Sequence, residues 1–317
     1  MTGLSPSCAG RSLRHPLCHS LRKQWVLWLM LLPTLFFFAL FCYLPMVGIY
    51  FAFSRFNFQG GLFGSPFVGL DNFQYLFKSG ILWSLTRNTI LYNIAFIIVG
   101  NVMQMICALF FNDLTKKWFT KASQTIIFLP YFVSMVLVGV FAYNLFNIDN
   151  GFINSLLRLL GLETCNFYIR PEVWPPIIVA VNVWKGLGYG SIIYLSTLAS
   201  IDPGYYEAAR IDGATKWQQV RLITWPMLKP TMVILIMFSL GGILKGQFEL
   251  FYQLIGKNGL LYATTDILDT YVYRSLTVNF DIGMGSAAGV YQSVFGLILV
   301  LTVNGIVRRV NEDYALF

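Results

Sequence analysis

The chain has 317 residues, of which 56% are hydrophobic, 17% aromatic and only 11% charged, with a formal net charge of +8. A soluble domain carries roughly 25% charged residues, so an ordinary soluble enzyme is excluded. The mean hydropathy of +0.64 comes in apolar runs of about 20 residues, the length that crosses about 30 Å of hydrocarbon, and the sequence reads as a polytopic all-α membrane protein.

Residues 1–24 carry Arg11, Arg14, Arg22 and Lys23 and no acid. This basic N-terminal tail suits an anionic cytoplasmic leaflet, and equally a solvated segment. His15 and His19 stand four apart in it, but Pro16 and Leu17 intervene without a carboxylate and no metal site is expected. Cys8, Cys18, Cys42, Cys107 and Cys165 show no CxxC spacing, so neither a disulfide framework nor a zinc site is indicated.

A six-span domain is expected over 25–311, with spans at 26–53, 88–111, 125–147, 176–199, 226–245 and 286–307 and a C-terminal tail at 312–317. Pro45 and Pro130 predict kinks in the first and third spans. Alternating sides from the N-terminus, one side collects 13 of the 22 Lys and Arg and the other 8, with Lys185 inside the fourth span. The excess of basic residues marks the inside. Both termini are therefore expected in the cytoplasm, and the net charge reflects orientation in a bilayer rather than nucleic-acid binding.

Between the fourth and fifth spans, the cytoplasmic stretch 200–226 codes for two short helices and a tight turn. Asp202 is placed to cap the first helix and Pro203 to occupy its first turn. Asp212 and Gly213 end it, and Thr215 with Gln218 forms a capping box that starts the second. Ala208 and Ala209 add no bulk. A knob with a small-residue face fits a groove on another protein; an amphipathic interfacial loop is the plainer alternative.

Glu207-Ala208-Ala209, then Gly213, Ile223 and Pro226 resemble the EAA loop of permease subunits of bacterial ABC importers, with Trp225 standing where that pattern usually has leucine. The stretches FCYLPMVGIYFAF, GSPFVGLDNF, QTIIFLPYFVSMV and TTDILDTYVYRSL extend the resemblance to the sugar-uptake branch, especially permeases for oligosaccharides, over nearly all of the chain from about residue 25. The resemblance implies a type I importer permease in a bacterial cell membrane. Its implied partners are a second permease subunit, expected to be a paralogue, two ATP-binding subunits and an extracytoplasmic substrate-binding protein. Tyr206, Glu207, Ala208, Ala209, Asp212 and Gly213 would then couple the spans to the ATPase. Glu207 would face a basic residue there, and Gly213 would set the turn.

No cofactor is expected in this chain, and ATP and Mg²⁺ would belong to the partner. A phosphate-cradling loop needs GxxxxGK followed by Ser or Thr, and here Gly256-Lys257 is followed by Asn258. No catalytic constellation appears either, because HExxH and GxSxG are missing.

Polar side chains inside spans are costly unless they meet a partner or a wet cavity. Lys185 is the clearest case, and Asn182, Trp184, Tyr189 and Tyr194 around it mix aromatic faces with hydrogen-bonding groups, as a sugar requires. Gln247, Glu249, Tyr252 and Gln292 extend this candidate substrate path. Each has a packing alternative: Lys245 and Glu249 at helical spacing would pair with each other, and tyrosines near span ends would sit in the interfacial belt. An ion-coupled secondary carrier of polar solutes is the competing function. It would place ionisable groups within the membrane, and no Asp or Glu lies well inside a predicted span.

Overall fold

The computed structural model describes residues 25–310, so the basic tail with its two histidines and the C-terminal tail at 312–317 lie outside the described residues. The chain divides after Tyr50 into two compact units. In the first, the span that begins at Trp25 runs as α-helix to Phe38, as π-helix over Ala39–Tyr43 and then as 3-10 helix from Leu44. The change of pitch falls where Pro45 was expected to kink the chain. A proline removes one amide donor and its ring crowds the preceding turn, and the Leu44 amide instead reaches back to the Ala39 carbonyl.

Among the described residues, five helices are long and apolar enough to cross a bilayer: Trp25–Phe53, Ile81–Asp113, Pro171–Ala199, Lys216–Leu240 and Ile282–Arg309. Lys117–Phe132 and Met135–Phe146 meet at 98° and are together apolar enough for a sixth, taken as one bent span. The third span, expected as one run over 125–147, is therefore broken. Pro130 weakens the ladder, Val133 turns extended, and Ser134 restarts the helix by accepting the Leu137 amide at 3.4 Å.

Two further differences concern the fifth span. The second knob helix, Lys216–Gln219, does not stand alone but continues through a π segment, Val220–Thr224, into the membrane helix Trp225–Leu240. At the other end this helix stops at Leu240 rather than 245, because Gly241, Gly242 and Gly246 favour an unwound stretch before the helix Phe248–Ile255. Among the described residues no strand forms beyond an isolated antiparallel bridge between Ser54 and Phe67.

In the second unit, the second and fourth spans form the packed centre. Gln104 lies against the glycine face of the fourth span and donates to the Gly186 carbonyl at 3.3 Å. A Cβ on Gly190 would fall 2.0 Å from the Gln104 side chain, so glycine sets this approach. Toward the end away from the knob, Tyr92, Trp174 and Phe251 anchor one apolar cluster, with the Trp174 indole donating to the Phe167 carbonyl at 2.8 Å. At the knob end, Ala108, Tyr194, Leu198, Ile201 and Leu228 form a smaller one.

Candidate functional site

The knob is built by its own sequence. The Asp202 carboxylate accepts the Gly204 amide at 2.9 Å and opens the helix Pro203–Ile211. At its end the Gly213 amide bonds the Arg210 carbonyl and the Ala214 amide bonds the Ala209 carbonyl, with Gly213 at φ +76°. This pairing satisfies the last carbonyls and requires a left-handed residue. The Thr215 hydroxyl then accepts the Gln218 amide at 3.3 Å while the Gln218 side chain accepts the Thr215 amide at 2.7 Å.

The knob is rooted in the spans. The Tyr206 ring packs against the knob-end cluster and its hydroxyl is 3.0 Å from Thr224 in the π segment. Lys216 pairs with Asp113, at the end of the second span, at 3.4 Å. Both ions are exposed, so this pair adds at most about 1 kcal/mol and matters chiefly as a tether. Glu207, Ala208, Asp212 and Gly213 are exposed and Ala209 is half-buried. Sequence reading missed the apolar part of this surface: Tyr205, Ile211, Trp217 and Leu222 are all open, Ile211 at 86%. Their signal was present, since large apolar side chains in a short polar loop are unusual unless a partner covers them.

On the candidate path, the Lys185 ammonium donates to the carbonyls of Pro130 at 3.3 Å, Tyr131 at 3.2 Å and Val133. It thus caps the helix end at the break in the third span, where the last carbonyls lack their ordinary i+4 amide donors and the Pro130 carbonyl takes, from the backbone, only the Val133 amide, at 3.2 Å. Tyr189 stacks on Tyr131 with centroids 4.9 Å apart and planes within 9°. Asn182 donates to the Gln247 side chain at 2.6 Å. The structure therefore brings Asn182, Lys185, Tyr189 and Gln247 to one side of the fourth span.

Two expected members on the fourth span lie elsewhere, as does Gln292 of the sixth. Tyr194 is fully buried and donates to Asn101 at 2.8 Å, which takes it out of any lining. Trp184 faces a largely apolar groove of 930 Å³ between the second and fourth spans, together with Leu91, Val99 and Leu187. Helical phase explains the two on the fourth span. At 100° per residue Tyr194 is half a turn from Lys185, and Trp184 points about 160° from Asn182.

The unwound stretch of the fifth span has its own fastening, which sequence reading did not find. Asp269 accepts the Gly246 amide at 2.6 Å and the Gln292 side-chain amide at 3.1 Å, and Gln292 also donates to the Leu244 carbonyl at 2.6 Å. Burial pushes the Asp269 carboxyl above the usual range, against the opposing effects of the Gly246 and Gln292 donors and of Lys245. The packing alternative for Glu249, a helical pair with Lys245, does not form, because Lys245 precedes the helix that carries Glu249. Glu249 is exposed, and Tyr252 stacks on Phe248 at 5.2 Å.

Comparisons with known proteins identify this architecture. Residues 100–312 match the family model described as the binding-protein-dependent transport system inner membrane component. The polygalacturonan/rhamnogalacturonan transport system permease protein YteP of Bacillus subtilis (strain 168) is 34% identical over 95% of this chain and 93% of its own. Protein LplB of the same organism is 33% identical over 92% of this chain and 91% of its own. A crystal structure of a bacterial alginate ABC transporter, in complex with an alginate pentasaccharide-bound periplasmic protein, contains a chain 34% identical to this one. It superposes with a TM-score of 0.82 over 93% of this chain and 98% of that one. A carrier driven by an ion gradient is thereby set aside. A multi-pass helical chain of this topology, with its glycine-turned knob between the fourth and fifth spans, belongs to the binding-protein-dependent transport system inner membrane component family.

Proposed function

We propose that this chain is the permease subunit of a bacterial ABC importer for acidic oligosaccharides. Asn182, Lys185, Tyr189, Gln247, Glu249 and Tyr252 border the path for a sugar released by an extracytoplasmic binding protein. A second permease subunit completes the path, and two ATP-binding subunits hold ATP and Mg²⁺ and grip the knob. Glu207, Ala208, Ala209, Asp212 and Gly213 form the gripped surface. Tyr206 and Lys216 pass its movement to the fifth and second spans. Both termini lie in the cytoplasm.

One observation carries the cargo reading: the likeness to a transporter of an acidic polysaccharide runs over the whole permease, its external half included, rather than the coupling segment alone. Purification with co-expressed neighbours, reconstitution in proteoliposomes and a screen of oligosaccharides tests it. Oligogalacturonides or alginate oligomers, presented with the binding protein, should raise ATP hydrolysis several-fold over neutral maltotriose. Stimulation by maltotriose alone would overturn the acidic cargo, and the absence of any ATP-hydrolysing subunit from the purified complex would overturn the coupling.

A further inference from the structure

Beyond Gln247, on the side of the membrane opposite the knob, the helix Phe248–Ile255 and the helix Leu268–Thr277 enclose a small pocket. Its volume is 190 Å³, large against the about 30 Å³ share of one water and small against the roughly 300–1,000 Å³ of a drug-sized site. Space of that order admits one ring and not a chain. Three of its lining residues are tyrosines, Tyr252, Tyr262 and Tyr273. Tyr252 and Tyr273 meet edge to face at 5.1 Å, and Phe248 stacks behind Tyr252. Such a wall offers aromatic faces for the CH groups of a sugar and phenolic hydroxyls for its oxygens.

The charges of the lining are unequal. Asp266 is its one carboxylate, opposite two cations, Arg274 and Lys257. Asp266 is spent: it accepts both terminal nitrogens of Arg274, at 3.0 and 2.6 Å, and the Thr270 hydroxyl at 2.8 Å. Arg274 is fixed further by stacking over Tyr262 at 4.2 Å. That ion pair holds the pocket's back wall, while Lys257 stands exposed at the rim with no acid among the lining residues left to neutralise it. Tyr252 follows Gln247 by five helical residues, a rise of about 7.5 Å. The pocket therefore lies about one and a half turns outward from the Asn182–Gln247 pair.

From this arrangement we infer that the pocket is an external receiving subsite for a single uronate ring. Tyr252 and Tyr273 would hold the ring, and Lys257 its carboxylate, before the sugar reaches Gln247. The inference rests on the acidic cargo proposed above, and a binding measurement separates the two. The probes are digalacturonate and its neutral counterpart galactobiose, titrated against the purified transporter complex without binding protein. The wild type should bind digalacturonate more tightly than galactobiose. Lys257→Gln should weaken digalacturonate about fivefold, the order expected of one exposed ion pair, and leave galactobiose unchanged. Tyr252→Ala should weaken both about tenfold, whereas Tyr252→Phe, which keeps the ring, should stay within about threefold. An unaltered melting temperature of each variant complex shows that the fold is intact. Equal preference in the wild type and Lys257→Gln, or no binding of either probe, overturns the subsite. Stimulation of wild-type ATP hydrolysis by uronide-loaded binding protein reports separately on the cargo.

Discussion

Inserting a lysine at mid-span costs roughly 2.5–3.5 kcal/mol, and Lys185 offsets that cost by giving its ammonium to three carbonyls at the break of the third span. The side chain is only half-buried, so it can clamp the break and still border the proposed path. Asp269 is a second residue whose environment sets its behaviour. Its carboxyl is held above the ordinary aspartate range, chiefly by burial. The folded state therefore binds the proton more tightly than the unfolded state. Stability from this group is present below the unfolded pKa of about 4 and is lost as pH rises through the folded value. Asp269→Asn keeps a carbonyl acceptor for the Gly246 amide and cannot titrate. The melting temperature of the purified complex should fall with pH from about 4 upward in the wild type, with a flatter profile in Asp269→Asn. Identical profiles would show that Asp269 does not titrate in this window.

The knob shows why some elements are legible in sequence. Each of its signals acts within six residues: Asp202 on Gly204, Gly213 in its turn, Thr215 with Gln218. The partners of Lys185 lie 52 to 55 residues away, and the Asp269 fastening joins Gly246, 23 residues before it, to Gln292, 23 after. Local code does not specify such pairings; packing does. An intermediate case is Tyr194, whose helical phase already set it opposite Lys185, although its polar character grouped it with the path. Similarly, Pro130 announced a kink, but nothing local set it at 98°. Gly213 is where local code meets the proposed coupling. At φ +76° an L side chain costs about 1–2 kcal/mol, more when β-branched. Gly213→Val should abolish substrate-stimulated ATP hydrolysis while membrane insertion stays normal, and Gly213→Asn, which tolerates the left-handed region, should retain most of it. Full stimulation in Gly213→Val would count against the knob as the transmitter.

At the scale of the whole molecule, burial is uneven in a way that suits a subunit. A third of the apolar window of the second and fourth spans is buried, but only 6% of that of the sixth. The sixth span thus presents most of its surface outward, to lipid or to another subunit. The knob stands at the start of Lys216–Leu240, a 25-residue helix about 37 Å long, enough to cross the hydrocarbon with both ends in water. On the six-span topology expected from the sequence, thirteen basic residues are assigned to the side of the knob against eight to the other, and the positive-inside rule makes the richer side the cytoplasmic one. Single cysteines in a cysteine-free chain resolve this directly. Asn279→Cys, beyond the pocket helix, should react with a membrane-impermeant maleimide on spheroplasts. Ala214→Cys, in the knob, should react only after permeabilisation. The reverse pattern would turn the chain over in the bilayer, put the knob out of reach of any cytoplasmic ATPase, and leave the coupling mechanism without a motor.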